Sequence, residues 1–547
     1  MFSEVLKSIR ENGYNNTVSK LETTFPKVDS ELKKNYQDII FHGITKNNSR
    51  CMNIGSNVGN TCKQLSYYFE EVISIDSNSQ KIEFQKKRFQ SENINNVTFF
   101  NLNYENLSFP EEHFDLIVLE NFESIIQNIN NLDLEQFFIN LKNMLSNEGC
   151  IVFGIKNQSS ENSNDKLDVS LNFCKSFLSK ANLICKTFWI YPSLEHPSYS
   201  APLENSFSGA WFLKNLDNFK PTFKKKNLKT KFLPKSLKFL PTKLINHFFK
   251  KYGPAVLFCC SKKQIVTLHE LIKEKSSTDD FLLMSRKFKI MYILFKDKSE
   301  PVSVYSFNKT NTDTTATKTN LFQDLKQEKN LSKDNWVSGR PIDPLNYDEI
   351  LLSIKWLLNF QKENQFEIIP KEEITKKSIN LKSILNSKKT IIPNYIFTWL
   401  DDYTQFLLDS EIRFTSVHGD LSHKNMIFDK NSGSIEVIDW YHHKEKGDPL
   451  YDVSAFIFRF LIKSKNFSKE KSLARKLTSP EKQFLELKIN LEKILSKHFA
   501  RNTSLLFFTK YFLLLAICKK IEQQKSFDDD LNFAKIINDF EYHDSIS

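Results

Sequence analysis

The chain has 547 residues, 40% hydrophobic and 26% charged, which suits a globular protein with sizeable cores and excludes a disordered one. Lys and Arg (76) outnumber Asp and Glu (65) by 11, and segment 214–251, with twelve Lys against Asp217 alone, holds that whole excess. The eight Cys form no paired C-x-x-C array, which argues against a zinc ribbon or a disulfide scaffold and fits a reducing compartment.

In chain order, residues 1–48 read as a helical lead-in of short helices with polar breaks. The N-terminus lacks a basic start followed by an apolar core, so no signal peptide is expected. Apolar runs at 52–55, 72–76, 97–102, 114–119 and 150–155 read as strands. The amphipathic stretches 80–89 and 134–145 read as helices between them. That alternation predicts an α/β domain with a mostly parallel sheet covered on both faces. Further strands are expected at 183–191 and 255–260, the second following the basic segment as an insertion. Residues 263–280 are polar and charged and read as a linker. Three β-like runs follow at 281–284, 290–295 and 302–307, and 311–320 reads as a Thr- and Asn-rich loop. From Asp348 the chain is mainly helical, interrupted by 415–440. Its longest apolar run, 505–518, contains Lys510 and is shorter than the ~20 residues of a membrane span, so a buried helix is expected.

The first chemical constellation is Cys51-Met52-Asn53-Ile54-Gly55-Ser56-Asn57-Val58-Gly59, a strand end opening into a helix. Seventeen residues past Gly59, the next strand ends in Asp76. A glycine turn lets backbone approach a ligand closely, and a strand-tip acid can accept both ribose hydroxyls. Over about 50–157 the chain resembles the class I S-adenosylmethionine-dependent methyltransferases. Asn103-Tyr104-Glu105-Asn106 is similar to the family's adenine-side loop, and Phe114–Leu119 to its fourth strand. The resemblance implies that Gly55 and Gly59 flank the cofactor, Asp76 holds the ribose, Asn103 faces the adenine, and residues 120–123 lie beside the methyl group. Three departures stand out: Asn53, Asn57 and Asn103 occupy positions that are usually acid, Gly and acid. Glu120-Asn121-Phe122 replaces the Asp/Asn-Pro-Pro-Tyr of members that methylate base or amide nitrogens, which argues against a nucleobase acceptor. Trp189-Ile190-Tyr191-Pro192 with His196-Pro197 is similar to a Tyr-Pro segment of methyltransferases of surface-sugar assembly, which implies an acceptor pocket lined by Tyr191 and His196. A packed Tyr and a surface His is the alternative.

The second constellation is His418-Gly419-Asp420-Leu421-Ser422-His423-Lys424-Asn425, then Ile438-Asp439-Trp440, then Gly447-Asp448-Pro449-Leu450-Tyr451-Asp452. Phosphoryl transfer needs a carboxylate to orient the attacking hydroxyl and oxygen ligands for Mg²⁺, and this set supplies both. Over about 280–540 the chain resembles the aminoglycoside/choline phosphotransferase branch of the protein-kinase-like fold. The resemblance implies an α+β two-lobed domain over 281–547 that binds ATP with Mg²⁺. Asp420 would be the catalytic base, Asn425 and Asp439 the metal ligands, and Asp448 or Asp452 the brace of the catalytic loop. The small lobe departs from the pattern: Ser306 stands where a phosphate-gripping Lys is expected, Lys309 comes three residues late, and Glu328 is the candidate helix acid.

These readings divide the chain into the lead-in 1–48, a methyltransferase domain over 49–262 with the basic insertion 214–251, the linker 263–280 and a kinase-like domain over 281–547. They imply a cytoplasmic bifunctional transferase acting on a sugar or lipid-linked glycan. The alternatives are a methyltransferase whose kinase-like domain only binds the acceptor, or a scaffold with decayed sites. Segment 214–251, interleaved with Phe and Leu, is a candidate for peripheral contact with an anionic membrane surface, or for contact with RNA or an acidic sugar polymer, the alternative being a solvated cap over the methyltransferase pocket. It holds no Arg, the residue of bidentate phosphate and base recognition, which argues against nucleic acid.

Overall fold

The structure is a computed structural model. It describes residues 2–34, 36–127, 134–156, 170–204, 207–215, 244, 253–286, 289–297, 300–308, 331–387, 392–429, 432–463, 473–478, 480, 482–523 and 540. The chain forms two compact units, 1–336 and 337–547. The basic segment beyond Asn215 (apart from Leu244), the loop 311–320, Lys309 and Glu328 lie outside the described residues.

The first unit is built on a twelve-stranded sheet. Its strands are β1 (Arg50–Ile54), β2 (Glu71–Asp76), β3 (Val97–Asn101), β4 (Phe114–Leu119), β5 (Leu145–Lys156), β6 (Ile184–Ser193), β7 (His196–Pro202), β8 (Ala255–Ser261), β9 (Asp280–Ser285), β10 (Lys289–Phe295), β11 (Pro301–Asn308) and β12 (Leu331–Asn335). The order is β12-β11-β10-β9-β7-β6-β8-β5-β4-β1-β2-β3. Pairings among β1 to β5 are parallel, and every pairing from β5–β8 outward to β12 is antiparallel. Every residue of β4 is buried, as is β1 after Arg50, because helices cover both faces of the parallel half. Alternate side chains serve opposite faces. Met52 and Ile54 pack in one core with Ile117, Leu119 and Phe122, while Cys51 packs in the other with Leu116, Val118 and Leu65. From β1 the chain builds outward to β2 and β3, then returns to place β4 on the other side of β1. That reversal opens a crevice at the carboxyl tips of β1 and β4, the usual ligand position in such sheets.

The region 263–280 is not a linker. It contains the helix Leu268–Ser276, opened by a reciprocal capping box between Thr267 and Glu270. Leu268, Leu271 and Ile272 face the core, so the charges at 270 and 273–275 are this helix's polar face. Its buried His269 continues a hydrogen-bonded chain. Ser200 Oγ lies 2.9 Å from His42 Nε2, His42 Nδ1 lies 2.9 Å from His269 Nε2, and His269 Nδ1 lies 2.8 Å from Tyr292 Oη. Burial keeps both imidazoles neutral, with His269 pushed down to about 3 and His42 well below the usual range.

The β-like runs after 280 are strands, but they extend the first unit's sheet. β9 pairs with β7 through Tyr199↔Met284 and Ser200↔Leu283. Phe281 and Leu283 join one core of the sheet while Leu282 and Met284 join the other. The unit boundary therefore falls after Trp336 and not at 281. Ser306 lies on β11 within this sheet, buried, with its hydroxyl 2.5 Å from that of Ser332 on β12. Cys185 and Cys260, opposite each other on β6 and β8, are joined by a disulfide, and the other six cysteines are free and buried.

The second unit is mainly helical, as its sequence predicts. It has two three-stranded sheets. One joins β13 (Arg340–Pro341), β16 (Met426–Phe428) and β17 (Ile435–Val437). The other joins β14 (Gln365–Ile368), β15 (Arg413–Val417) and β18 (Lys444–Gly447). The helices Tyr347–Glu363, Tyr395–Leu408, Pro449–Lys463 and Leu505–Glu522 share one apolar core. The last of these holds the apolar run and is buried. Among the described residues no helix is long and apolar enough to cross a membrane.

Candidate functional sites

The loop after β1 is left-handed at alternate positions: φ is 73° at Gly55, 50° at Asn57 and 85° at Gly59. Asn is among the side chains that best tolerate this region, so Asn57 occupies the middle position without a glycine. The backbone N–H groups of Gly55 and Ser56 both donate to the Ile75 carbonyl, at 2.9 and 3.1 Å, which ties the loop to β2. A buried amide locks the loop from the other side. Gln85 Nε2 donates to Ser56 Oγ and to the Asn57 carbonyl, each at 2.9 Å. The lead-in helices reach the same loop: Asn57 Nδ2 donates to Glu31 Oε2 at 2.6 Å, and Asn60 Nδ2 to the Lys34 carbonyl at 2.9 Å. Phe2, Val5 and Val28 pack there with Val58 and Phe84.

Asp76 ends β2 and is 2% exposed. Its Oδ2 accepts from the Asn57 backbone N–H at 3.0 Å, and its Oδ1 from that of Asn78 at 2.9 Å. Lys81 Nζ lies 3.9 Å from Oδ2. Burial raises the Asp76 pKa, with Lys81 and the two N–H groups acting against that rise. Asn103 is exposed and opens the 3₁₀ turn Tyr104–Asn106. The Tyr104 hydroxyl accepts from the Ser77 N–H at 3.4 Å, which holds that turn beside the tip of β2.

Of residues 120–123, Glu120 and Phe122 are buried, Asn121 has φ 56°, and Glu123 accepts the Lys156 N–H at 2.9 Å. Glu120 sits directly past β4, its N–H donating to the Ile54 carbonyl at 2.9 Å. Its Oε2 accepts from Asn53 Nδ2 at 3.1 Å. Burial pushes its pKa up to about 7, against the pull of that amide. The geometry thus gathers Gly55, Gly59, Asp76 and the turn carrying Asn103 on one side of the sheet. Glu120 lies in the 120–123 segment that the sequence places beside the methyl group, whereas Glu31, which reaches the loop through Asn57, is a residue that the sequence reading did not single out. Glu31 carries no signal in the sequence, because its role depends on a contact with Asn57 that is made 26 residues away. Tyr191 and His196 lie on the β6–β7 hairpin, where the Tyr191 ring meets Phe212 edge-on at 5.7 Å between centroids.

In the second unit the segment around His418 is held by Asp452. Its carboxylate accepts the backbone N–H groups of His418 at 2.6 Å and Gly419 at 3.0 Å, so Asp452, not Asp448, braces the loop. Gly419 has φ 83°, and a Cβ there would collide with the His442 carbonyl. His418 Nε2 lies 2.9 Å from the Ile438 carbonyl, next to Asp439, whose φ is 67°. Asn425 Nδ2 donates to the Asp420 carbonyl at 2.9 Å. Asp420 is half-exposed and pairs with Arg459 at 2.6 Å. Asp448 is half-buried, with Lys377 at 2.5 Å, Tyr511 Oη at 2.6 Å and Tyr403 Oη at 2.7 Å. Burial raises its pKa, but Lys377 and the two phenols outweigh burial and hold it below the usual range. Among the described residues no cluster of three or more His, Cys, Asp or Glu side chains suits a metal ion.

Residues 52–149 match the family model described as "Methyltransferase domain". The protein is thus a transferase with a methyltransferase domain around the crevice of its first unit. No curated protein matches the sequence. Among solved structures, the chain is similar to an S-adenosylmethionine-dependent methyltransferase from Aquifex aeolicus, at 14% identity over 31% of this chain and 89% of that one, with a TM-score of 0.25. It is also similar to the YcgJ protein from Bacillus subtilis, at 14% identity over 42% and 99%, TM-score 0.25. A third is a Haemonchus contortus phosphoethanolamine N-methyltransferase, at 16% identity over 48% and 61%, TM-score 0.28.

Proposed function

We propose that the first unit binds S-adenosylmethionine in the crevice at the tips of β1, β2 and β4 and transfers its methyl group to a sugar or a lipid-linked glycan. The observation that carries this reading is Asp76: a buried carboxylate at a strand tip, aimed by the N–H groups of Asn57 and Asn78 beside the left-handed Gly55–Gly59 loop. When bound, the cofactor supplies a methyl group on a positively charged sulfur. The chain's part is to grip the ribose through Asp76, admit the ligand against the bare backbone of Gly55 and Gly59, and face the adenine with the turn at Asn103. Titration calorimetry tests this directly. Asp76→Ala is expected to weaken S-adenosylmethionine binding by about 1.5–3 kcal/mol, the worth of a hydrogen bond to a charged group. Unchanged affinity rejects the assignment.

A second reading adds phosphoryl transfer from ATP with Mg²⁺ in the second unit, with Asp420 as base and Asn425 and Asp439 as metal ligands. It is favoured by the Asp452 carboxylate, which accepts the backbone N–H groups of His418 and Gly419, and by the left-handed Asp439. The Arg459 pair opposes it, because the guanidinium sits 2.6 Å from the Asp420 Oδ1 that an acceptor hydroxyl would have to reach. The contrast between two variants decides. Asp439→Asn should weaken MgATP binding, whereas Asp420→Asn should spare binding and abolish turnover. No MgATP binding at millimolar nucleotide leaves the unit as an acceptor-binding module. The Lys-rich segment 214–251 is the proposed contact with an anionic membrane surface. Equal co-sedimentation with neutral and anionic vesicles at low salt would remove that role.

A further inference from the structure

Asn53 and Glu120 stand side by side at the tips of β1 and β4. Asn53 is fully buried and Glu120 is 2% exposed. The Asn53 amide donates to Glu120, yet its Oδ1 is buried without a hydrogen-bond partner, an arrangement that natural interiors avoid unless something else completes it. Glu120 is also pinned against the cofactor loop, since a Cβ on Gly55 would lie 2.6 Å from the Glu120 carbonyl oxygen. Among the described residues Glu120 has no ion-pair partner; the nearby cation, Lys81, pairs with Asp76. The crevice thus holds two buried carboxylates facing one lysine.

A buried carboxylate without a cation is costly, and a positively charged ligand offsets that cost. S-adenosylmethionine carries a sulfonium, an ammonium and a carboxylate, for a net charge of +1. Its product, S-adenosylhomocysteine, has lost the sulfonium charge and is neutral overall. We propose that Glu120, oriented by Asn53, is the residue by which this crevice distinguishes the charged methyl donor from the spent product. The inference rests on the crevice being the S-adenosylmethionine site. Glu120 would be fully charged only with the donor in place, which disfavours retention of the product after transfer. The burial that raises its pKa to about 7 in the free protein is consistent with a carboxylate that lacks its counter-charge.

The test is calorimetry on the full chain with three probes: S-adenosylmethionine, S-adenosylhomocysteine, and sinefungin, which has an amine in place of the sulfonium. The wild type is expected to bind the first and third more tightly than the second. Glu120→Gln is expected to weaken the two charged ligands roughly tenfold while leaving the product within about twofold, as a unit charge several ångströms away implies. Glu120→Asp, which keeps the charge, should retain the preference. Equal loss for all three ligands in Glu120→Gln, or no loss, overturns the proposal. If the glutamine variant fails to fold, the wild type decides alone: ranking by shape with no preference for charge also overturns it. A wild type that binds none of the three removes the cofactor site itself, and the proposal with it. Binding without charge preference removes only the role of Glu120.

Discussion

Gly55 takes up φ 73° with the Glu120 carbonyl 2.6 Å from where a Cβ would stand. Both costs arise at once in Gly55→Ala. The left-handed backbone is worth about 1–2 kcal/mol, and the clash is with backbone that cannot swing aside. A fall in melting temperature together with weakened S-adenosylmethionine binding is expected; a variant as stable and as tightly binding as wild type would show that the loop is not held as described. At this scale the sequence is informative where chemistry and backbone geometry coincide. Gly55, Gly59 and Asp76 announce themselves by spacing, and Asn57 by its tolerance of the conformation it adopts. Glu120 and Asn53 are less legible, because their meaning lies in a pairing across two strands 67 residues apart in sequence. The choice between Asp448 and Asp452 was open for the same reason. Both are acids after Gly447, and only the fold decides which one meets the His418 and Gly419 N–H groups and which meets Lys377.

Among the elements, the central strands β1, β2 and β4 were legible because a strand buried on both faces is a short, mostly apolar run, and the edge strand β3 by its Val and two Phe. The strands β9 to β11 were legible as strands but not as members of this sheet, and β12, the polar Leu331–Asn335, was not legible at all. A β-run at 281–285 does not say which edge it will join, since the bonds that decide are backbone bonds any residue can make. The helix Leu268–Ser276 was hidden by charge, although Thr267 and Glu270 spelled its capping box. This assignment has a consequence for where the chain can be cut. Ending at 262 exposes the edge of β7 and removes the partners of Phe188 and Leu257 in the core, and a long unpaired edge invites association. A fragment covering 1–336 is expected to be monomeric with a cooperative melt, and one covering 1–262 to aggregate. Light scattering and calorimetry of the two distinguish the boundaries, and a well-behaved 1–262 fragment would restore the earlier one.

For the molecule as a whole, the buried Ser200–His42–His269–Tyr292 chain ties β7, the 3₁₀ turn Tyr36–His42, the helix Leu268–Ser276 and β10 into one body, and it makes the stability of that body depend on pH. Both imidazoles are neutral in the folded state, with His269 near 3 and His42 well below its ordinary value. Lys186 and Lys273 face His269 and lower it further, and Glu270 faces Tyr292. In the unfolded chain both histidines titrate near 6.5. Below that pH the unfolded chain takes up protons that the folded chain refuses. Stability is therefore fully present above about 6.5 and is lost as pH falls towards 3, by about 1.4 kcal/mol per pH unit for each histidine. Glu120 works the other way. Its pKa is raised to about 7, so between about 4.5 and 7 the folded chain holds a proton there that the unfolded chain has released, and stability falls as pH rises. Asp76 and Cys62 share its surroundings, and Lys81 favours its charged form. Between pH 5 and 6.5 two histidines oppose one carboxyl, so these groups together give a net loss on acidification. His269→Gln, which keeps an amide in the chain but cannot take up the proton, should lower stability at pH 7 and yet flatten the acid limb by about 1.4 kcal/mol per pH unit. Glu120→Gln should steepen that limb by a similar amount. Urea melts of the wild type and both variants at pH 5.0, 5.5, 6.0 and 7.0 read the two slopes. Three parallel lines would show that neither buried group titrates differently in the folded and unfolded chains.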